Sequence, residues 1–335
     1  MTNPPVHHGF IPDPARAAAV DRRVRAAFAD SMRTLLAAFG KQGVLPAERI
    51  AALEARLAAG DMATAAVAAY SDLVEAIYGD DPAAVATALE AMITAIEADP
   101  PAPVSIVTVD DGDLGPGHAD RYRRLVNDDP STQIDVRPMT RDALAAAGER
   151  LRAALALLDE GAPGFAGEVR ALIRQVVLAG TGDDPALSFD GATTYMLWGS
   201  TLLNADHHPT RLALAEALVH ESAHALLFGF TLGTPLVDNP TEELFKSPLR
   251  ADPRPMDGIV HATYVAARIV AAMDALLASG LLSDEERIAA EASAAAHRRA
   301  FAGGVAVVDS DARLTTVGAA AFDPARSFMR TAVAG

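Results

Sequence analysis

Residues 206–229, DHHPTRLALAEALVHESAHALLFG, decide how the rest of the chain is read. Within them His220-Glu221-Ser222-Ala223-His224 spells H-E-x-x-H inside a run whose apolar residues recur at helical spacing, so both imidazoles fall on one face, a single turn apart. Two neutral imidazoles so placed can grip one metal ion. Glu221, rotated about 100° around the helix, can reach a water bound to that metal. Asp206 or Thr210 as N-cap, Pro209 near the first turn and Gly229 as terminator bound the helix at 209–229. The alternative is a core helix with two hydrogen-bonded histidines, which leaves two buried imidazoles among almost wholly apolar neighbours at a cost in free energy.

A chain of 335 residues can bury a large core, as two domains or one large one. Half of it is hydrophobic, much of that alanine, and aromatic residues at 5% are too few for an all-β sandwich. The expected fold is mainly α, in the α+β class, with a small antiparallel sheet or hairpin beside a zincin-like metal helix. A formal charge of −16 opposes binding to nucleic acid, whose phosphates demand a basic face, and to anionic membranes. The absence of cysteine removes disulfides and thiolate ligands, so any metal rests on histidine and carboxylate. The N-terminal MTNPPVHHGFIPDP has no basic region followed by an apolar run, which favours a cytoplasmic location. The most apolar stretch, Ile259 to Leu282, carries His261, Arg268 and Asp274 and reads as a buried helix rather than a membrane span.

The proline-rich run at 99–103 divides the chain into a helical N-terminal scaffold or docking region, 1–99, and a metal-containing catalytic region, 100–335. Four helices are expected in the first: Ala15 to Phe39, then from Pro46 to Gly60, from Asp61 to Tyr78 and from Asp81 to Glu97. In the second, Val104 to Val109 and Ile134 to Val136 read as strands, and helices run from Thr140 to Leu158 and from Pro163 to Leu178. A hairpin joins Leu187–Phe189 to Thr193–Leu203 through an Asp190-Gly191 turn, and its longer strand could offer an edge to an extended peptide. A charged helix after Ser283 is expected to end at Gly303-Gly304, before a strand-like Val305 to Val308. Asp110, Asp111 and Asp113 lack the spacing of a calcium loop, and His7-His8 and His297-Arg298-Arg299 read as solvated.

Two histidines do not complete a catalytic site, and the sequence offers two sources for a third ligand. Glu242 and Glu243 lie where a glutamate zincin recruits its carboxylate. His261 opens the buried helix 258–280, on one face with Tyr264 and Arg268. Arg268 needs a partner on that face, either an anionic co-ligand of the metal or a buried glutamate. Between the candidates, Ser247-Pro-Leu-Arg250-Ala-Asp-Pro-Arg254-Pro presents two arginines on a segment stiffened by three prolines, suited to gripping a carboxylate through two bonds.

The combination of LVHESAH with SPLRADPRPMDGIVHATYVAAR resembles the H-E-x-x-H peptide-modification proteins of ribosomal natural-product pathways, whose relatives include 2-oxoglutarate-dependent peptide β-hydroxylases. The likeness covers roughly residues 186–280. It implies iron(II) on His220, His224 and His261, with 2-oxoglutarate held by Arg250 or Arg254 and with Arg268 a further candidate for the cofactor. Leu249 stands where the hydroxylase branch carries an aromatic residue. The substrate so implied is a peptide, such as a precursor peptide, and Glu221 then orients a ligand or water. The alternatives are a zinc metallopeptidase with Glu221 as general base and Glu242 or Glu243 as third ligand, and a non-catalytic metal- or peptide-binding protein.

Overall fold

Alanine- and leucine-rich segments with few β-branched residues fold as helices, and helices dominate the computed structural model, which describes residues 8–60, 62–98, 104–127, 133–247 and 252–333. In chain order they are α1 (Pro14–Lys41), α2 (Ala47–Ala59), α3 (Thr64–Tyr78), α4 (Pro82–Glu97), α5 (Asp111–Leu114), α6 (His118–Val126), α7 (Arg141–Gly161), α8 (Pro163–Leu172), α9 (Arg211–Phe230), α10 (Met256–Ser279), α11 (Asp284–Asp311) and α12 (Thr316–Val333). The strands are β1 (Ser105–Thr108), β2 (Gln175–Ala179), β3 (Gly191–Ala192), β4 (Ser200–Asn204), β5 (Leu244–Phe245) and β6 (Arg254–Pro255). The fold is therefore mainly α with a little β. The chain forms two compact units, one of residues 1–20, 149–172 and 208–335, the other of residues 21–148 and 173–207. The proline run at 99–103 lies outside the described residues, as do His7 and the segment 248–251 that holds Leu249 and Arg250.

The second unit carries a four-stranded sheet of order β1-β2-β4-β3, parallel between β1, β2 and β4 and antiparallel only between β3 and β4. This corrects the expectation of a small antiparallel sheet. The segment 175–179, expected to continue a helix, is strand β2, because Val176, Val177 and Leu178 are buried on both faces. A strand covered on both sides reads as a continuous apolar run, which periodicity cannot tell from a buried helix. The hairpin survives only as two residue pairs, Gly191 against Leu203 and Ala192 against Leu202. Residues 185–187 and 195–197 form single 3₁₀ turns instead of strand. β4 lies between β2 and β3, so it is not the free edge expected for a peptide. Ile134–Val136 joins no named strand; only Arg137 bridges to Gly180. Trp198 leaves the sheet to donate from Nε1 to Asp21 at 2.9 Å, a carboxylate that Arg25 and Arg174 also hold.

The first unit packs α10 along α11 and beside α9, with α8 on α9 and α12 against both α9 and α10. Glycine does not end α11 at 303–304. The helix runs on to Asp311, and Val305–Val308 is helical; Gly304 lies against Thr263 of α10, where an added Cβ would collide with the Thr263 side chain. The small residue permits close helix packing. α10 is the one described helix long and apolar enough to cross a membrane, and 78% of that window is buried inside the protein. The antiparallel pair β5–β6, Leu244 against Pro255 and Phe245 against Arg254, packs against α10 at its start.

Candidate metal centre

Helix α9 begins where Thr210 accepts a hydrogen bond from the Ala213 amide at 3.1 Å, and it is clasped by the guanidinium of Arg211 on Glu286 at 2.7 and 2.8 Å. Leu212, Leu214, Leu218, Val219, Leu226 and Leu227 bury most of its circumference. His220 and His224 occupy the less covered side and are half-buried, while Glu221 between them is buried at 4% exposure. Their spacing of one turn brings His220 Nε2 and His224 Nε2 to 3.2 Å. The other nitrogen of His224, Nδ1, lies 3.3 Å from Nδ1 of His261 on α10. His261 Nε2 in turn faces Asp257 Oδ2 at 3.7 Å, one turn back along α10. Phe228 closes the cluster, its ring 5.3 Å from that of His261.

Burial pushes His224 down to about 3, with the neighbouring His261 adding to the effect, and pushes His261 down to about 4. Both rings are therefore neutral near pH 7, the form in which imidazole donates to a metal. A neutral ring has one N–H. If His224 Nε2 gives its lone pair to a cation, its proton sits on Nδ1 and donates to His261 Nδ1, which leaves the His261 proton on Nε2, toward Asp257. In that arrangement His261 fixes the ring and tautomer of His224, with the Asp257 carboxylate 3.7 Å beyond His261.

The three histidines come together, but not around one point: His261 stands behind His224, against the nitrogen that does not face His220. Among the described residues no three histidine or acidic side chains converge as a metal-holding group. Glu243 is held instead by Arg313 at 3.4 Å and Asn239 at 3.4 Å, and Glu242 is exposed beside Thr241. Arg268 is buried at 1% exposure and its fork is occupied. It donates to Glu168 and to the Phe10 carbonyl, and it lies over the Phe165 ring at 4.5 Å. Glu168 also accepts from Arg16 at 2.8 Å and from the Asp13 amide at 2.9 Å. Of the two options open for Arg268 in the sequence, the buried glutamate is the partner found. Arg254 sits half-buried on β6 and is ion-paired with Asp252 at 2.7 Å.

Sequence reasoning did not single out Glu168 or Asp257. Asp257 had a signal, since it lies four residues before His261 and so on the same helix face. Glu168 had none, being paired across 100 residues of chain. Neither protein-family models nor curated proteins yield a match to the chain.

Proposed function

We propose that the chain is a mononuclear metalloenzyme, an iron(II)- and 2-oxoglutarate-dependent hydroxylase acting at a β-carbon of a peptide, such as a precursor peptide of a ribosomal natural-product pathway, in the cytoplasm. The observation that carries the metal is the 3.2 Å approach of His220 Nε2 and His224 Nε2. Two nitrogens bonded to one ion at about 2.0–2.1 Å with tetrahedral to right-angled geometry stand about 2.9–3.4 Å apart, so the side chains fit a shared ion as they stand. His220 and His224 would hold it. The resemblance of residues 247–268 to peptide hydroxylases supports iron and 2-oxoglutarate over zinc.

Iron(II) with 2-oxoglutarate and O2 would supply the chemistry: one oxygen atom of O2 ends in the new hydroxyl group and the other in succinate, with carbon dioxide released. The protein's share is placement. His261 holds the proton of His224 on Nδ1 and so keeps Nε2 free to donate. Glu221, buried next to the first histidine, orients a water or ligand, and Arg250 or Arg254 grips the distal carboxylate of the cosubstrate. Arg268, occupied by Glu168, serves the frame of the unit rather than the cosubstrate. The acidic chain takes neither nucleic acid nor an anionic membrane as partner.

Protein purified without added metal should carry iron and, once supplied with peptide, convert 2-oxoglutarate to succinate. Retained zinc with cleavage of the peptide would replace this reading by a peptidase with Glu221 as base. Bound metal with neither reaction would leave a binding protein.

A further inference from the structure

Arginine in this acidic chain is mostly neutralised within the protein, as at Arg298 on Asp274 or Arg326 on Asp309. Lys246 and Arg299 depart from that pattern. Among the described residues neither has a hydrogen-bonding or ion-pairing partner, and both line one open cleft of about 540 Å³. Ser247, Ala296, Ala300 and Gly303 make up much of its lining, and among the described residues no carboxylate does. The volume is that of a site for a small ligand or a few residues of peptide. In a chain with 44 acidic residues against 28 basic ones, two cations left without a carboxylate on one cleft are matched to an anion from outside.

The position of the cleft gives that anion a use. Gly303 of its lining adjoins Gly304, which lies against Thr263 of α10, two residues from His261. On its other side Lys246 directly follows β5, on the hairpin that packs against α10.

We propose that the cleft between Lys246 and Arg299 is an anion-recognition subsite that takes a side-chain carboxylate of a peptide and holds the adjoining residues beside the end of α10 that carries His261. Its service to a reaction rests on the hydroxylase reading, whereas its binding of acidic peptide does not. The test is therefore a binding measurement on the full chain with a fluorescein-labelled tetraglutamate, its ends blocked, in low salt. A protein of charge −16 repels such a probe in general, so saturable binding reports a local basic site. Lys246→Gln and Arg299→Gln should each weaken binding about twofold to fivefold, and the double variant about tenfold or more. His220→Ala should leave binding unchanged, which separates failure of the cleft from failure of the metal site. No saturable binding, or equal binding by the double variant, overturns the proposal. Equally tight binding of glutarate overturns its peptide part and leaves a small-dicarboxylate site.

Discussion

Two polar clusters share helix α10, seven residues apart, and they are satisfied in opposite ways. Around Arg268 the protein supplies every main partner itself: Glu168 takes the charge, Arg16 and the Asp13 amide share that carboxylate, and Phe165 stacks below. Around His261 the nitrogens face one another, His261 on His224 and His224 on His220. The first cluster ties the N-terminal segment and α8 to α10 and is complete as architecture. The second brings together neutral donors whose lone pairs a cation would use better than another imidazole does. Burial alone does not mark a polar residue as functional; what it is turned toward does.

The largest effect should come from breaking the arginine cluster. Glu168→Gln strands two buried guanidinium groups, and the loss of unfolding free energy should be about 3–5 kcal/mol, read from urea denaturation. Arg268→Met leaves the Arg16–Glu168 pair in place and should cost less, with metal binding by the folded protein unchanged. If Arg268→Met instead leaves stability intact and abolishes 2-oxoglutarate binding, the contrast between the clusters is wrong and Arg268 belongs to the site.

Next in size is the response of the histidines. His220→Ala and His224→Ala should each weaken iron binding more than about 100-fold while the chain stays folded, because the apolar faces of α9 carry the helix. His261→Ala should weaken it by about 10- to 100-fold, the usual cost of losing a group that orients a ligand. Loss as complete as in His220→Ala would show that His261 turns and ligates the metal directly. Glu242→Ala and Glu243→Ala should leave metal affinity unchanged, and a loss in either would favour the zincin arrangement.

Those predictions mark what local sequence could carry. The H-E-x-x-H pair was legible because its geometry is set by one helical turn, and α9, its N-cap Thr210 and the body of α10 followed from apolar spacing, whereas Gly229, expected to end α9, lies inside it and Thr231 is the C-cap. The parallel strand β2 was not, since Gln175–Ala179 is covered on both faces and shows no alternation. Gly303-Gly304 read as a stop, yet Gly304 is small because Thr263 of another helix touches it. The partner of Arg268 and the nitrogen of His224 that His261 meets are set by tertiary packing, which no periodicity encodes.

The smallest expected effect separates the clusters by pH, in protein stripped of metal by a chelator. His224 and His261 fall to about 3 and about 4 in the folded chain, against 6.5 for an ordinary imidazole. The unfolded chain therefore takes up protons first as pH falls below about 6.5, and folding stability declines until the folded pKa values are reached. Between pH 7 and pH 5 the loss should be about 1–3 kcal/mol, less than two fully buried rings would give, because His224 is only half-buried. Glu286, pushed down to about 2 by its hydrogen bonds with Arg211 of α9, stays ionised over this range. Other carboxylates act equally on parent and variant, so the useful quantity is the difference between the parent and a His224→Ala, His261→Ala double variant. That difference should shrink steadily on the acid side of pH 6.5, the parent losing stability that the variant keeps. A difference independent of pH would mean that the two imidazoles are already solvated in the folded chain, and the neutral His224 that His261 orients toward a metal would not be preformed.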